Sequence, residues 1–123
     1  MKPILLTTFA AAVLAVVLVA ATISSAGEKR TTVHVMDNFF DPRSDTIEPG
    51  ARVTFVWKGT NKHNVRFTKV PAGANKKGSR TRRKGDWSRR FWKPGLYRYV
   101  CTLFDGMRGT ITVKPKPPPA TEG

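Results

Sequence analysis

Short segments in which every second residue is apolar recur after residue 27, and this alternation constrains the fold more than any other feature. In "RVTFVW" (52–57), Val53, Phe55 and Trp57 occupy alternate positions. Successive side chains of a strand point to opposite faces, so this pattern predicts a half-buried strand. It recurs at 31–36, 63–67, 87–92, 96–101 and 109–113, and no part of this region has a helical period. The sequence therefore predicts an all-β domain.

Turn residues separate these segments. Pro49-Gly50 and Pro94-Gly95 suit tight turns, and Lys58-Gly59 and Asp105-Gly106 mark two further reversals. Strands that recur every ten or so residues indicate antiparallel pairing in a sandwich or barrel.

Two segments are predicted to lie outside the sheets. Residues 71–85 are basic and glycine-rich, which predicts a mobile loop. Residues 114–123 carry four prolines, which predicts an extended, disordered tail.

Residues 1–26 have the composition of a targeting segment. The run from Ile4 to Ile23 is almost entirely apolar, and Ser24-Ser25-Ala26 suits a signal peptidase, so cleavage before Gly27 is expected. The alternative is an uncleaved membrane anchor at 4–23, since about 20 apolar residues can span a bilayer. Either interpretation places a domain of residues 27–113 outside the cytoplasm, in the periplasm, the cell envelope or the medium.

The chain is strongly basic, with 22 Lys and Arg against 8 acidic residues and a formal net charge of +14. Such a field attracts anionic partners, and we expect an acidic redox protein or an anionic cell-envelope surface to bind a monomer. Nucleic acid would also satisfy the charge, but an exported protein is not expected to meet it. The candidate partner-binding residues belong to the most basic stretch: Lys76, Lys77, Arg80, Arg82, Arg83, Lys84, Arg89 and Arg90.

The single cysteine, Cys101, has no partner for an intramolecular disulfide. In an oxidising compartment such a thiol is usually buried, bound to a metal or paired between chains. Cys101 ends one predicted strand, Met107 precedes the next, and His63 opens an earlier one. If the strand of His63 neighbours that of Cys101, then imidazole, thiolate and thioether meet at one end of the sheet. These ligand types suit copper.

Three motifs together resemble a known family: "HN" opening a strand at 63–64, "PGLYRYVC" at 94–101 and "GMRGTI" at 106–111. Over residues 33–113 the chain resembles the cupredoxins, the blue-copper family of plastocyanin, pseudoazurin and amicyanin. The resemblance implies an antiparallel Greek-key β-sandwich with a type 1 copper site for electron transfer. The implied ligands are His63, Cys101, the residue at 104 and Met107, and Asn64 is implied to tie the ligand-bearing segments together.

Position 104 departs from that pattern, because the family's second histidine is replaced by Phe104. A phenyl ring has no lone pair, so one corner of the site lacks a protein donor. Neither His34, on the first strand, nor Asp105, in a turn, is expected to replace it. Each retained residue also has an ordinary interpretation: a buried thiol for Cys101, a core side chain for Met107 and a strand-edge histidine for His63.

Three functions remain open at this point. The first is a copper electron carrier with the incomplete ligand set. The second is a module without redox activity that binds anionic surfaces through residues 76–93, where Trp87, Phe91 and Trp92 interleave with Arg89 and Arg90. The third is storage or delivery of Cu(I). Catalysis is not expected, since the sequence offers no acid–base pair and no nucleophile beside a base.

Overall fold

The computed structural model describes residues 30–118, which form eight strands: β1 Arg30–Met36, β2 Phe39–Asp41, β3 Ser44–Ile47, β4 Ala51–Trp57, β5 Arg66–Lys69, β6 Asp86–Phe91, β7 Gly95–Val100 and β8 Arg108–Val113. No helix in this part of the chain is long and apolar enough to cross a membrane. The predicted signal or anchor segment, residues 1–26, and positions 119–123 of the predicted tail lie outside the described residues.

The strands form two four-stranded sheets, ordered β2-β1-β4-β6 and β3-β8-β7-β5. Their facing sides enclose the core, and the alternation in β4 corresponds to it: Val53, Phe55 and Trp57 are buried, whereas the residues between them are only half-buried. The chain changes sheet at every connection from β2 to β7. The predicted β-sandwich is confirmed.

The sequence pattern indicated antiparallel pairing throughout, but each sheet contains one parallel pair of strands. β1 pairs with β4 in parallel, and β3 pairs with β8 in parallel. Parallel neighbours need a long crossover, and residues 37–50 supply one by passing through the opposite sheet between β1 and β4. Side-chain alternation shows which face is buried, but it carries no information on strand direction.

The predicted strand at 63–67 has the right buried face but the wrong start. His63, Val65 and Phe67 are all buried, yet the strand β5 begins only at Arg66. The backbone of Val65 bonds instead to Ser79, through its N–H to the hydroxyl and through its carbonyl to the amide. The short strands β2 and β3 were not predicted.

The segment at 71–85 contains no named strand, as predicted, but it is bound to the sandwich rather than detached from it. Ser79 bonds to Val65, and the backbones of His63 and Arg82 form a bridge.

At the start of the predicted tail, Lys114 belongs to the sandwich edge rather than to a free tail. Its amide donates to the carbonyl of Ile47, and its ammonium group pairs with Glu48 at 3.1 Å.

Candidate metal centre

Strand pairing brings His63 and Cys101 together. β5 pairs with β7, with Arg66 opposite Val100, so the residues just before β5 lie beside those just after β7. The backbone of His63 is fixed by two hydrogen bonds with Arg82, at 2.9 and 3.0 Å, and by one from the indole of Trp57 to its carbonyl at 3.1 Å. The condition set by the sequence analysis for a shared site is therefore met.

The donor atoms of these two residues face each other inside the protein. His63 Nδ1 lies 3.7 Å from Cys101 Sγ, and the two residues are 0% and 3% exposed. Nitrogen and sulfur donors bound to one metal ion at about 2.0 and 2.3 Å stand roughly 3.5–3.7 Å apart at tetrahedral or trigonal angles. The observed separation fits a single ion held between the two atoms.

The loop after Cys101 turns back so that Met107 lies beside it. The Cys101 amide donates to the Met107 carbonyl at 2.9 Å, and the Met107 amide donates to the Phe104 carbonyl at 3.3 Å. Gly106 has a φ of 79°, which a glycine adopts readily at the third position of such a turn. The predicted Asp105-Gly106 turn is present, and Met107 is buried.

Asn64 connects the segments that carry the candidate ligands. Its side-chain oxygen accepts from the Thr102 amide at 2.9 Å, and its amide group donates to the Thr102 hydroxyl at 2.7 Å. The same amide group donates to the Thr81 hydroxyl at 3.0 Å. The Asn64 side chain thus joins its own segment, which carries His63, to the loop after Cys101 and to the basic segment, residues 71–85.

Phe104 packs against His63 and offers no donor. The two ring centroids are 4.9 Å apart with an interplanar angle of 43°, and Phe104 is half-buried against the core. As expected, neither His34 nor Asp105 replaces the missing histidine: His34 lies on β1 between the core-facing Val33 and Val35, and Asp105 is exposed in the turn.

Asp37 is a feature of the site that the sequence analysis missed. Its Oδ1 lies 3.0 Å from His63 Nε2, on the side of the ring away from Cys101. Hydrogen bonds from the backbone of Thr60 and Asn61, together with the one from His63, hold the pKa of the Asp37 carboxyl well below its usual range. The Asp37-Asn38 pair could have indicated a turn, but no sequence signal brings it to residues 60–63.

Within residues 30–118, no three His, Cys, Asp or Glu residues cluster closely enough to hold a metal ion. A centre at this position would therefore need another kind of third donor, and the candidate is Met107, which is buried and whose carbonyl accepts from the Cys101 amide. Imidazole, thiolate and thioether form a soft set that suits copper, and Cu(I) in particular.

The candidate partner-binding residues divide into two groups. Arg89 does not belong to an exposed surface, because its guanidinium lies 4.7 Å from the Phe67 ring centroid and donates to the carbonyls of Asn75 and Lys77. Arg82 is half-buried, stacks over Trp57 and donates to the Asp86 carbonyl. The remaining members are exposed: Lys76, Lys77, Arg80, Arg83, Lys84 and Arg90.

The three tryptophans differ in exposure. Trp57 is buried, and Trp87 is half-buried with its ring centroid 5.7 Å from that of Phe55. Trp92 lies against Gly50 but remains 63% exposed. Trp57 and Trp87 thus pack in the core or against it, whereas Trp92 is largely a surface residue.

Comparison with known proteins identifies the family. The model for copper binding proteins of the plastocyanin/azurin family matches residues 27–114, a span that contains all eight strands and the candidate ligands. The chain belongs to this family. The resemblance noted in the sequence is thereby confirmed, and copper is the metal that the plastocyanin/azurin family supports.

Individual members of the plastocyanin/azurin family agree with this assignment. Plastocyanin from Prochlorothrix hollandica is 34% identical over 121 residues, covering 86% of this chain and 92% of that protein. Pseudoazurin from Methylobacterium extorquens AM1 gives a TM-score of 0.62 at 25% identity, over 72% of this chain and 77% of that one. A reduced Cu(I) form of an amicyanin variant gives 0.62 at 24% identity, over 72% and 85%, and supports the fold alone.

Proposed function

We propose that this protein is an exported copper-binding electron carrier that holds its metal with His63, Cys101 and Met107. The observation that carries the proposal is the 3.7 Å separation between His63 Nδ1 and Cys101 Sγ, both on buried residues. Copper, when bound there, supplies one-electron exchange between Cu(I) and Cu(II). Export is supported by the composition of residues 1–26, as a cleaved signal peptide or as an anchor.

The protein groups give this site a preference for the reduced ion. Thiolate and thioether are soft donors that favour Cu(I), whereas imidazole serves both oxidation states. Phe104 occupies the position of the family's second histidine and brings only a hydrocarbon surface. Because Cu(II) prefers additional nitrogen or oxygen donors, we expect weaker retention of Cu(II) than a complete set would give.

The test measures copper binding first and then the visible absorption of the bound copper in both oxidation states. Purified protein is loaded with Cu(I) without oxygen, the bound copper is counted, and the sample is then oxidised while visible absorption is recorded. We expect one copper per chain and a thiolate-to-copper absorption on oxidation that disappears again on reduction. Cys101→Ser is the matched control, because it removes the thiolate with little change in shape. Absence of bound copper, or equal binding by Cys101→Ser, would contradict the proposal.

Electron transfer further requires a partner, and the charge favours an acidic redox protein. The basic segment is joined to the site, since Arg82 bridges to His63 and Thr81 bonds to Asn64. Exposed bases such as Arg80, Arg83 and Lys84 would therefore steer an acidic surface towards the copper. Charge reversal at these three positions should slow association and weaken its dependence on ionic strength.

Delivery or storage of Cu(I) is the second candidate, and the missing donor at Phe104 favours it. Two results would support it over electron transfer: tight Cu(I) binding without reversible oxidation, and rapid loss of copper to a competing chelator. A module without redox activity that binds anionic surfaces is the third candidate. It predicts salt-dependent binding to anionic vesicles that Cys101→Ser leaves unchanged.

A further inference from the structure

We propose that Asp37 is a positioning residue of the copper centre, whose carboxylate fixes the His63 ring in the orientation and tautomer that direct Nδ1 towards Cys101. The inference rests on the proposed function for its role in copper binding. Its structural part concerns this chain's own residues and can be tested on protein without metal. No motif in the sequence indicated this carboxylate.

The two ring nitrogens of His63 have different environments. Nε2 lies 3.0 Å from Asp37 Oδ1, and Nδ1 lies 3.7 Å from Cys101 Sγ. An ionised carboxylate can only accept hydrogen bonds, and a neutral imidazole carries one N–H. The proton of neutral His63 therefore belongs on Nε2, and the lone pair of Nδ1 is directed at the thiol.

The carboxylate itself is held rigidly by the turn before His63. Thr60 donates its amide to both carboxylate oxygens at 3.0 Å and its hydroxyl to Oδ2 at 3.0 Å, and Asn61 donates its amide to Oδ1 at 2.9 Å. Gly59 makes this approach possible, because a Cβ at that position would overlap the Asp37 carboxylate. The acceptor for Nε2 is thus anchored independently of His63.

This arrangement explains how a fully buried histidine keeps a single orientation. Rotation of the ring by half a turn would leave Asp37 facing a carbon and Nε2 without its acceptor. Metal-binding histidines commonly donate their other N–H to a carboxylate, which raises the basicity of the ligand nitrogen, and loss of such a partner typically costs roughly 10–100-fold in metal affinity. Asp37 meets that description for His63.

The first test reads the tautomer in protein without metal. Long-range proton–nitrogen NMR of the imidazoles, at a pH above the range in which histidine protonates, should show only the Nε2–H form of His63. Asp37→Ala should make the Nδ1–H form appear. His34 gives an internal reference in the same spectrum. The matched control is Thr60→Val, which removes one hydroxyl bond to Asp37 but leaves the carboxylate in place, and it should preserve the wild-type pattern.

The second test measures Cu(I) affinity without oxygen by competition with a chromogenic chelator. Asp37→Ala should lower the affinity by roughly 10–100-fold, whereas Thr60→Val should change it far less. Asp37→Asn keeps an oxygen for the Thr60 and Asn61 amides, so it preserves the turn if Asp37→Ala does not fold, and it should still lower the affinity because the charge is lost.

The outcomes separate this inference from the proposed function. A wild-type tautomer in folded Asp37→Ala, or unchanged Cu(I) affinity in both Asp37 variants, would overturn the positioning role even if copper binds. Failure of the wild-type protein to bind copper would refute the proposed function, while the tautomer measurement would still decide what Asp37 does to His63.

Discussion

Replacing Phe104 by histidine tests the central claim that one missing donor separates this centre from a complete one. The change introduces an imidazole into the loop of Cys101 and Met107, at a half-buried position whose ring already packs against His63. We expect Phe104→His to bind Cu(II) more tightly than the wild type and to show stronger visible thiolate-to-copper absorption.

The magnitude follows from two opposing terms. The Phe104 and His63 ring centroids are 4.9 Å apart, and ring pairs of this kind contribute about 0.5–1.5 kcal/mol beyond their buried area. The variant without metal should therefore lose about 1 kcal/mol of unfolding free energy. A ligand at 100 times its dissociation constant adds about 2.7 kcal/mol to the folded state. The gain in unfolding free energy on saturation with Cu(II) should therefore exceed the loss that the substitution causes in the protein without metal.

Denaturant unfolding with and without Cu(II), together with visible spectra, measures both terms. Leu103→His is the control, because Leu103 is the adjacent residue of the same loop and is 50% exposed. It adds an imidazole without placing it at the family's ligand position. If Phe104→His gains neither absorption nor copper-dependent stability, or if Leu103→His gains as much, then position 104 is not the open corner of a copper site.

Three further predictions concern the surroundings of the site. Asn64→Ala should lower the unfolding free energy by about 1–3 kcal/mol in denaturant unfolding, because it removes three hydrogen bonds between segments, each worth about 0.5–1.5 kcal/mol, part of which water restores. Tyr99→Phe should raise the unfolding free energy by about 1 kcal/mol, because the buried Tyr99 hydroxyl has no hydrogen-bond partner within the described residues. Tyr97→Phe should lower the unfolding free energy by a similar amount, because the Tyr97 hydroxyl donates to a carbonyl at 2.8 Å. Burial raises the pKa of both phenols above the usual value of about 10, so the folded state retains protons that the unfolded state releases, and stability should fall as the pH rises above about 10 in a pH series of unfolding curves.

The sequence was informative wherever burial alternates along the chain. Six strands and the inward faces of β1 and β4 follow from a period of two, because this period reports which side chains leave water. It was uninformative where that signal is too short or absent. β2 has three residues, and β3 buries only Ile47 among its four. His63 and Val65 showed the alternation of a strand although other partners hold their backbones.

The site could be predicted most directly where its candidate ligands are close together along the chain. Cys101 and Met107 lie on one loop, so their proximity follows from the sequence itself. The contact of Asp37 with His63 depends on the parallel pairing of β1 with β4, which alternation cannot reveal. Arg89 was grouped with the surface bases on charge alone. Its stacking over aromatic rings depends on tertiary packing that composition does not encode.

The contacts that hold the candidate ligands in place are independent of the residue at position 104. His63 is held through its backbone by Arg82 and Trp57 and through its ring by Asp37. Cys101 is held through its amide by Met107. These supports do not involve the Phe104 side chain, so the His63–Cys101 geometry should persist whichever residue occupies position 104. A pair of donors set by the fold beside a hydrocarbon side chain would leave Cu(II) without the further nitrogen or oxygen donors that it prefers. Under the proposed function, a preference for Cu(I) would therefore come from the two sulfur donors together with the lack of a donor at Phe104, while the pairing of His63 with Cys101 comes from the fold.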